Sequence, residues 1–72
     1  MPKLPRISGN ETIKKLERCG YEPIRQQGSH VRLRSNDGRS SITVPLHKEL
    51  KPGLLRKIIK DAELSVNEFI AL

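Results

Sequence analysis

The sequence predicts a small α+β domain in which helices cover one face of a three-stranded antiparallel sheet. Two stretches carry apolar residues at helical spacing, the segment between them alternates apolar and polar residues, and turn residues divide that segment into three parts. The predicted order is therefore helix, three strands, helix and a short terminal turn. Because a domain usually has about 100–200 residues, the 72 residues form a single domain over positions 1–72.

The first helix begins at a capping-box pattern that runs from Ser8 to Glu11. The serine hydroxyl can accept the amide of the glutamate while the glutamate side chain reaches back. Apolar residues then recur at helical spacing as far as Leu16, and Gly20 can adopt the left-handed conformation that ends a helix. We predict a helix over about residues 9–19, with Cys19 facing the core as a small apolar residue.

Three strands follow in the segment where the period changes to two. Residues 21–27 are the first, and Pro23 removes one hydrogen-bond donor from it, so this strand lies at an edge or begins irregularly. Residues 29–34 alternate strictly, and residues 41–44 alternate again. The sequence Asn36-Asp37-Gly38 between them is typical of a tight turn.

Alternation also predicts what each face of the sheet carries, because successive side chains on a strand point to opposite faces. One face has the apolar side chains that the helices can cover: Val31, Leu33, Ile42 and Val44. The opposite face leaves His30, Arg32 and Arg34 in the open.

The second helix begins near Pro52, which suits the first helical position because its missing amide costs nothing there. One apolar stripe follows at positions i, i+3, i+4 and i+7, formed by Leu55, Ile58, Ile59 and Ala62. A second capping-box pattern, from Ser65 to Glu68, predicts a last short turn that carries Phe69.

The charge of the chain points to a polyanionic partner. Lys and Arg number 14 against 8 Asp and Glu, a net charge of +6. Nucleic acid, an anionic membrane surface or an acidic protein would each suit it. Only one Tyr and one Phe are present and both are expected to be packed, so recognition of phosphate and shape suits this chain better than base stacking.

The composition argues against several other classes of protein and of binding site. Apolar residues make up 35% of the chain, enough for one thin core, so large-cofactor enzymes are not expected. No apolar run approaches the ~18 residues of a membrane span, and no signal-peptide stretch is seen. With a single cysteine, the chain is expected in the cytoplasm. One Cys and two separated His do not form a structural zinc site, and neither a metal nor a cofactor is expected.

His30 is the candidate for chemistry. Imidazole can take or give a proton near neutral pH without special tuning, and the guanidinium groups of Arg32 and Arg34 can hold a phosphate. A base beside phosphate contacts is the minimum set for cleaving RNA through its own 2′-hydroxyl, without a metal. Spacing alone also suits a plain surface histidine or a phosphate contact. His47, in the loop after the third strand, suits a helper in binding better than a catalytic group.

Several short motifs occur in a fixed order along the chain. They are Leu16 with Gly20-Tyr21, Gly28-Ser29-His30, Val44-Pro45-Leu46-His47 with Glu49-Leu50, and Pro52-Gly53 leading into the apolar stripe of the second helix. Over nearly its whole length the chain thereby resembles HicA, the toxin of HicAB toxin–antitoxin systems. Two positions depart from the family pattern. Leu54 stands where Thr is frequent, and Glu63 stands where Gly is frequent.

The resemblance implies a double-stranded-RNA-binding-domain-like α-β-β-β-α fold. It implies the toxin of a type II toxin–antitoxin system, an mRNA endoribonuclease that blocks translation and has His30 as its essential residue. It also implies neutralisation by a HicB-type antitoxin that covers the active face. We expect the toxin alone to be a monomer or weak dimer, and to form a higher-order complex with the antitoxin.

Two other functions remain open as alternatives to the nuclease. One is a non-catalytic RNA-binding module of the same fold, and the other is a basic interaction domain for an acidic protein. In the nuclease reading, the second proton-transfer group is His47, a lysine or water. The residues expected to contact RNA or phosphate are Arg32, Arg34, Ser29, Lys14, Lys15, Lys57 and His47.

Overall fold

The computed structural model describes residues 3–72 and confirms the predicted order of elements. Its helices and strands are α1 (Gly9–Arg18), β1 (Tyr21–Gln27), β2 (His30–Ser35), β3 (Ile42–Pro45), α2 (Pro52–Asp61) and α3 (Val66–Ile70). The strands form one antiparallel sheet in the order β1-β2-β3, so β2 is central and β1 is an edge strand. The helices pack on one face of the sheet and leave the other face open.

The core lies between the sheet and the helices, as the alternation predicts. Val31 and Leu33 of β2 are buried together with Leu16 of α1, Leu55 of α2 and Phe69 of α3. Cys19 is half-buried and packs against this core, which confirms its predicted role as a small core-facing residue. The tyrosine predicted to be packed is also buried. The apolar side chains on the inner face of β2 and β3 are thus all buried.

Both predicted N-terminal caps are present, in two different forms. The Ser65 hydroxyl accepts the amide of Glu68 while the Glu68 carboxylate accepts the amide of Ser65, a complete capping box. At α1 the Ser8 hydroxyl accepts the amide of Glu11, but it also donates to the Glu11 carboxylate at 3.2 Å. Glu11 therefore reaches back to the serine hydroxyl.

The C-terminus of α2 ends in a left-handed residue that is not glycine. Glu63 has φ of 57°, and its amide donates to Lys60 while the amide of Leu64 donates to Ile59. This pair of bonds is a Schellman motif, in which glycine is the usual left-handed residue because other residues pay a steric cost there. Glu63 is also one of the two positions at which the chain departs from the family pattern.

The connection between β2 and β3 contains the predicted turn residues. Residues 36–41 lie between the strands, and Gly38 has φ of 85°. The Ser35 hydroxyl accepts the amides of Asp37 and Arg39, which folds the connection back on the end of β2. The predicted turn residues Asn36, Asp37 and Gly38 thus lie within the connection, and side-chain bonds to Ser35 hold it in place.

Arg39 attaches this connection to the ends of both long helices. Its guanidinium donates to the carbonyl oxygen of Cys19 after α1 and to that of Ala62 after α2. It also lies over the ring of Tyr21, 4.9 Å from the ring centre, and pairs with Asp37 at 2.7 Å. This pairing, together with the Ser35 hydroxyl, lowers the pKa of Asp37 to about 2. Within residues 3–72, no helix is long and apolar enough to cross a membrane.

Candidate active site

The open face of the sheet carries the candidate site. His30, Arg32 and Arg34 are exposed on β2 while the residues between them are buried, as the strict alternation predicts. Strand pairing then sets their neighbours. His30 lies between Gln27 of β1 and Pro45 of β3.

A shallow cavity of about 210 Å³ lies on this face, around His30. Its lining residues are Arg25, Gln27, His30, Arg32 and Thr43. The cavity is smaller than the ~300–1,000 Å³ usual for drug-sized ligands. Its size suits a phosphate with part of a sugar. The imidazole, guanidinium, amide and hydroxyl groups of its walls can hold such a group.

Arg32 is held in position by the neighbouring strand. Arg32 and Thr43 are partners in the β2–β3 register, and the guanidinium Nη1 donates to the Thr43 hydroxyl at 3.0 Å. The threonine is a neutral acceptor, so it orients the guanidinium and leaves its positive charge available. Arg32 therefore lines the cavity with an oriented guanidinium, and its contact with phosphate stays a prediction.

Sequence reasoning missed two residues of the site, Arg25 and Gln27. Simple alternation from the buried Tyr21 places both on the inner face. A β-bulge between Pro23 and Arg25 adds one residue, Ile24, and moves the following residues to the opposite face. Pro23 was the available signal, since it already predicts an irregular strand.

Arg34 lies in a different electrostatic setting from Arg32. It is opposite Glu22 of β1, and the two form an ion pair with 3.1 Å between Nη2 and Oε1. Arg34 does not line the cavity around His30. Its predicted contact with phosphate stays a prediction, with Glu22 as the competing anion.

Lys57 lies in a groove that adjoins this cavity. The groove has a volume of about 270 Å³ and runs between β3 and α2, lined by Arg32, Ser41, Ile42, Thr43, Leu54, Lys57, Ile58 and Asp61. Arg32 and Thr43 border both spaces. Lys57 also forms an i,i+4 ion pair with Asp61, with 2.8 Å between Nζ and Oδ2.

The other predicted contacts lie outside both spaces. Lys14 is exposed on α1, whereas Lys15 is half-buried and donates to the carbonyl oxygens of Ile70 and Leu72. Ser29 precedes β2 and His47 follows β3, and both are exposed at the end of the sheet where these strands pair. There the amide of Leu46 donates to the carbonyl oxygen of Ser29.

Comparison with known proteins agrees with the architecture. Residues 9–64 match the family model described as the HicA toxin of bacterial toxin–antitoxin systems. A chain in a solved toxin–antitoxin complex from Streptococcus pneumoniae superposes with a TM-score of 0.69 and is 34% identical. That match covers 81% of this chain and 98% of the other. No curated protein gives a significant match. Among residues 3–72, no group of three His, Cys, Asp or Glu side chains is placed to hold a metal ion.

Proposed function

Since the chain belongs to the HicA toxin family of bacterial toxin–antitoxin systems, we propose that it is a metal-independent mRNA endoribonuclease that uses His30. One observation supports this proposal above the others. His30 is exposed in a cavity whose remaining walls carry two guanidinium groups and a hydroxyl, the groups that a phosphodiester substrate needs.

The proposed reaction uses the nucleophile of the substrate. The imidazole of His30 takes the proton of the ribose 2′-hydroxyl, and the resulting oxygen attacks the adjacent phosphorus. The bond from phosphorus to the 5′-oxygen breaks, and that oxygen receives a proton as it leaves. The products are a 2′,3′-cyclic phosphate and a 5′-hydroxyl. Negative charge on the phosphorane is stabilised by the guanidinium of Arg32, a preorganised donor.

The roles of the two proton-transfer groups are open to exchange. His30 acts as the base in this scheme, but the same position also suits the acid that protonates the leaving oxygen. His47, a lysine or water supplies the other group. Ser29, Lys14, Lys15, Lys57, Arg34 and His47 are proposed as further RNA contacts.

We further propose that a HicB-type antitoxin restrains the enzyme by covering the His30 face. The similar pneumococcal chain comes from a toxin–antitoxin complex, which supports a protein partner here. A net charge of +6 would speed association with a partner of negative potential and would let that partner compete with RNA.

The substitution His30→Ala tests the proposal. We expect it to remove RNA cleavage and growth inhibition while leaving the fold and RNA affinity in place, since exposed positions usually change stability by only about 0.5 kcal/mol. Purified wild-type and variant proteins would be compared by RNA gels, RNA binding and circular dichroism. Cleavage by a well-folded His30→Ala protein at the wild-type rate would falsify the assignment. Binding of RNA without turnover by the wild type would instead support the RNA-binding module.

A further inference from the structure

Two arginines face each other across neighbouring strands beside His30. The bulge in β1 makes Arg25 the direct partner of Arg32 in the β1–β2 register, and both side chains line the same cavity. Without the bulge, Ile24 would stand opposite Arg32. The irregularity of β1 therefore has a chemical result, because it places a second cation where an apolar side chain would otherwise lie.

This cross-strand pair is unfavourable in the isolated chain. Like charges directly opposite each other destabilise a sheet. The ion pairs within residues 3–72 are Arg34–Glu22, Arg39–Asp37 and Lys57–Asp61, and they include neither arginine of the pair. The hydroxyl of Thr43 orients Arg32 but brings no negative charge. An anion between the two guanidinium groups would relieve the repulsion.

We propose that Arg25 and Arg32 together form a clamp for the scissile phosphodiester of RNA, next to His30. The chemistry of this clamp depends on the nuclease function proposed above. The second guanidinium of the clamp is then Arg25, which forms no ion pair within residues 3–72, and not Arg34, whose charge Glu22 already shares. His30 is two residues from Arg32 on β2, about 7 Å along the strand, so a phosphate at the clamp lies within reach of the imidazole.

The surroundings of the clamp favour a polymer over a small free anion. Arg32 and Thr43 also border the groove between β3 and α2, so the cavity and the groove lie on either side of the same two side chains. Lys57 lies along that groove. An RNA strand can therefore cross the sheet from β1 toward α2, with one phosphate at the clamp and the next nucleotide in the groove.

Binding measurements separate the clamp from catalysis. In a His30→Ala background the RNA stays intact, and its dissociation constant can be measured at several salt concentrations. Each phosphate contact contributes about 0.7 to the slope of log affinity against log salt for single strands. Because both arginines hold one phosphate, we expect Arg25→Gln and Arg32→Gln each to flatten the slope by up to about 0.7, and the double variant to flatten it by about 0.7. Arg34→Gln is expected to flatten it less, and Arg6→Gln, an exposed arginine outside both spaces, is the matched control.

Cleavage and stability measurements complete the test. In the protein that retains His30, Arg25→Gln is expected to slow cleavage about 10²-fold, the usual loss for one preorganised donor. The same variant should unfold at an equal or higher urea concentration than wild type, because one partner of a like-charge pair is gone. A structural role for Arg25 would lower that midpoint. If Arg25→Gln fails to fold, Arg25→Lys replaces it, with cleavage expected to be slower because lysine lacks the planar fork.

Each outcome decides the proposal. Salt slope and cleavage rate equal to those of Arg6→Gln would overturn the clamp, even with an active wild-type enzyme. Loss of antitoxin binding with unchanged RNA affinity would also overturn it, since the pair would then serve a protein carboxylate. If wild-type protein cuts no RNA but Arg25→Gln still flattens the binding slope, the clamp stands as a site for an RNA phosphate and only the nuclease function fails.

Discussion

Gly9, the first residue of α1, lies directly against the carbonyl oxygen of Pro45 at the end of β3. A Cβ atom at position 9 would be 2.0 Å from that oxygen, and the amide of Gly9 donates to the carbonyl of His47 at 2.9 Å. The contact is between backbone atoms, which cannot move aside as a flexible side chain can. It holds the start of α1 on the strand end that pairs with His30.

The first prediction follows from this contact. Gly9→Ala should lower the free energy of unfolding by about 1–3 kcal/mol, the usual cost of forcing an extra methyl into a packed site. Gly53→Ala in α2 is the control, because a Cβ there meets nothing within 4 Å. We expect that change to raise stability by about 0.4–1 kcal/mol. Urea unfolding measures both, and equal effects of the two substitutions would contradict the packing argument.

A second prediction concerns the left-handed residue that ends α2. Glu63→Gly should raise the free energy of unfolding by about 1 kcal/mol, because glycine adopts φ of 57° without the steric cost of a Cβ. Glu63→Ala removes the carboxylate from the helix C-terminus but keeps the Cβ. Thermal unfolding would compare the two. A gain as large in Glu63→Ala as in Glu63→Gly would show that charge, and not backbone strain, is the cause.

The third prediction concerns acid stability. The pKa of Asp37 is lowered from 3.8 to about 2, chiefly by the hydrogen bond from Arg39. Because the folded-state pKa is below the unfolded one, this stabilisation is fully present above pH 4 and is lost as the pH falls through 2. Asp37→Asn should therefore be less stable than wild type at pH 5, and the difference should shrink by pH 2.

Urea midpoints at several pH values between 5 and 2 measure this difference. The partner variant Arg39→Gln provides the control, since Asp37→Asn should have a smaller pH-dependent effect in that background. A wild-type minus variant difference that stays constant from pH 5 to pH 2 would show that the pair adds no acid-dependent stability.

The fourth prediction concerns the reaction. If the 2′-hydroxyl is the nucleophile, cleavage should persist in EDTA at matched monovalent salt and should leave 2′,3′-cyclic phosphates. An RNA with a single 2′-deoxy sugar at the cleaved position should bind with unchanged affinity and stay intact. Gel analysis of end-labelled RNA measures both. Activity that chelation abolishes and only magnesium or manganese restores would exclude the proposed route.

The fifth prediction concerns restraint by the antitoxin. The product of the adjacent gene should copurify with this chain and should protect residues 29–34 from hydrogen exchange. His30→Ala should keep partner binding, because most of the interface would surround that side chain. Charge reversal at Arg32 together with Arg34 should weaken binding of both partner and RNA. Protection confined to the helix surface around Arg56 and Lys60 would rule out direct coverage of the site.

The sequence by itself determined the elements and the faces of this protein. Strict alternation over residues 29–34 placed His30 and Arg32 in the open, because side-chain direction along a strand has a period of two and needs only local information. The helix caps at Ser8 and Ser65 and the helix end at Gly20 were likewise readable, since each depends on a few neighbouring residues.

Only the tertiary structure decided which charged groups meet. Alternation placed Arg32 and Arg34 in equivalent positions. In the strand register, however, Arg34 lies opposite Glu22, whereas Arg32 lies opposite Arg25. The tether from Arg39 to the ends of two helices was equally invisible. Cross-strand partners are distant along the chain, and one extra residue in a bulge exchanges every partner beyond it. Local periodicity contains no information about that shift, so the environment of His30 appears only once the strands are paired.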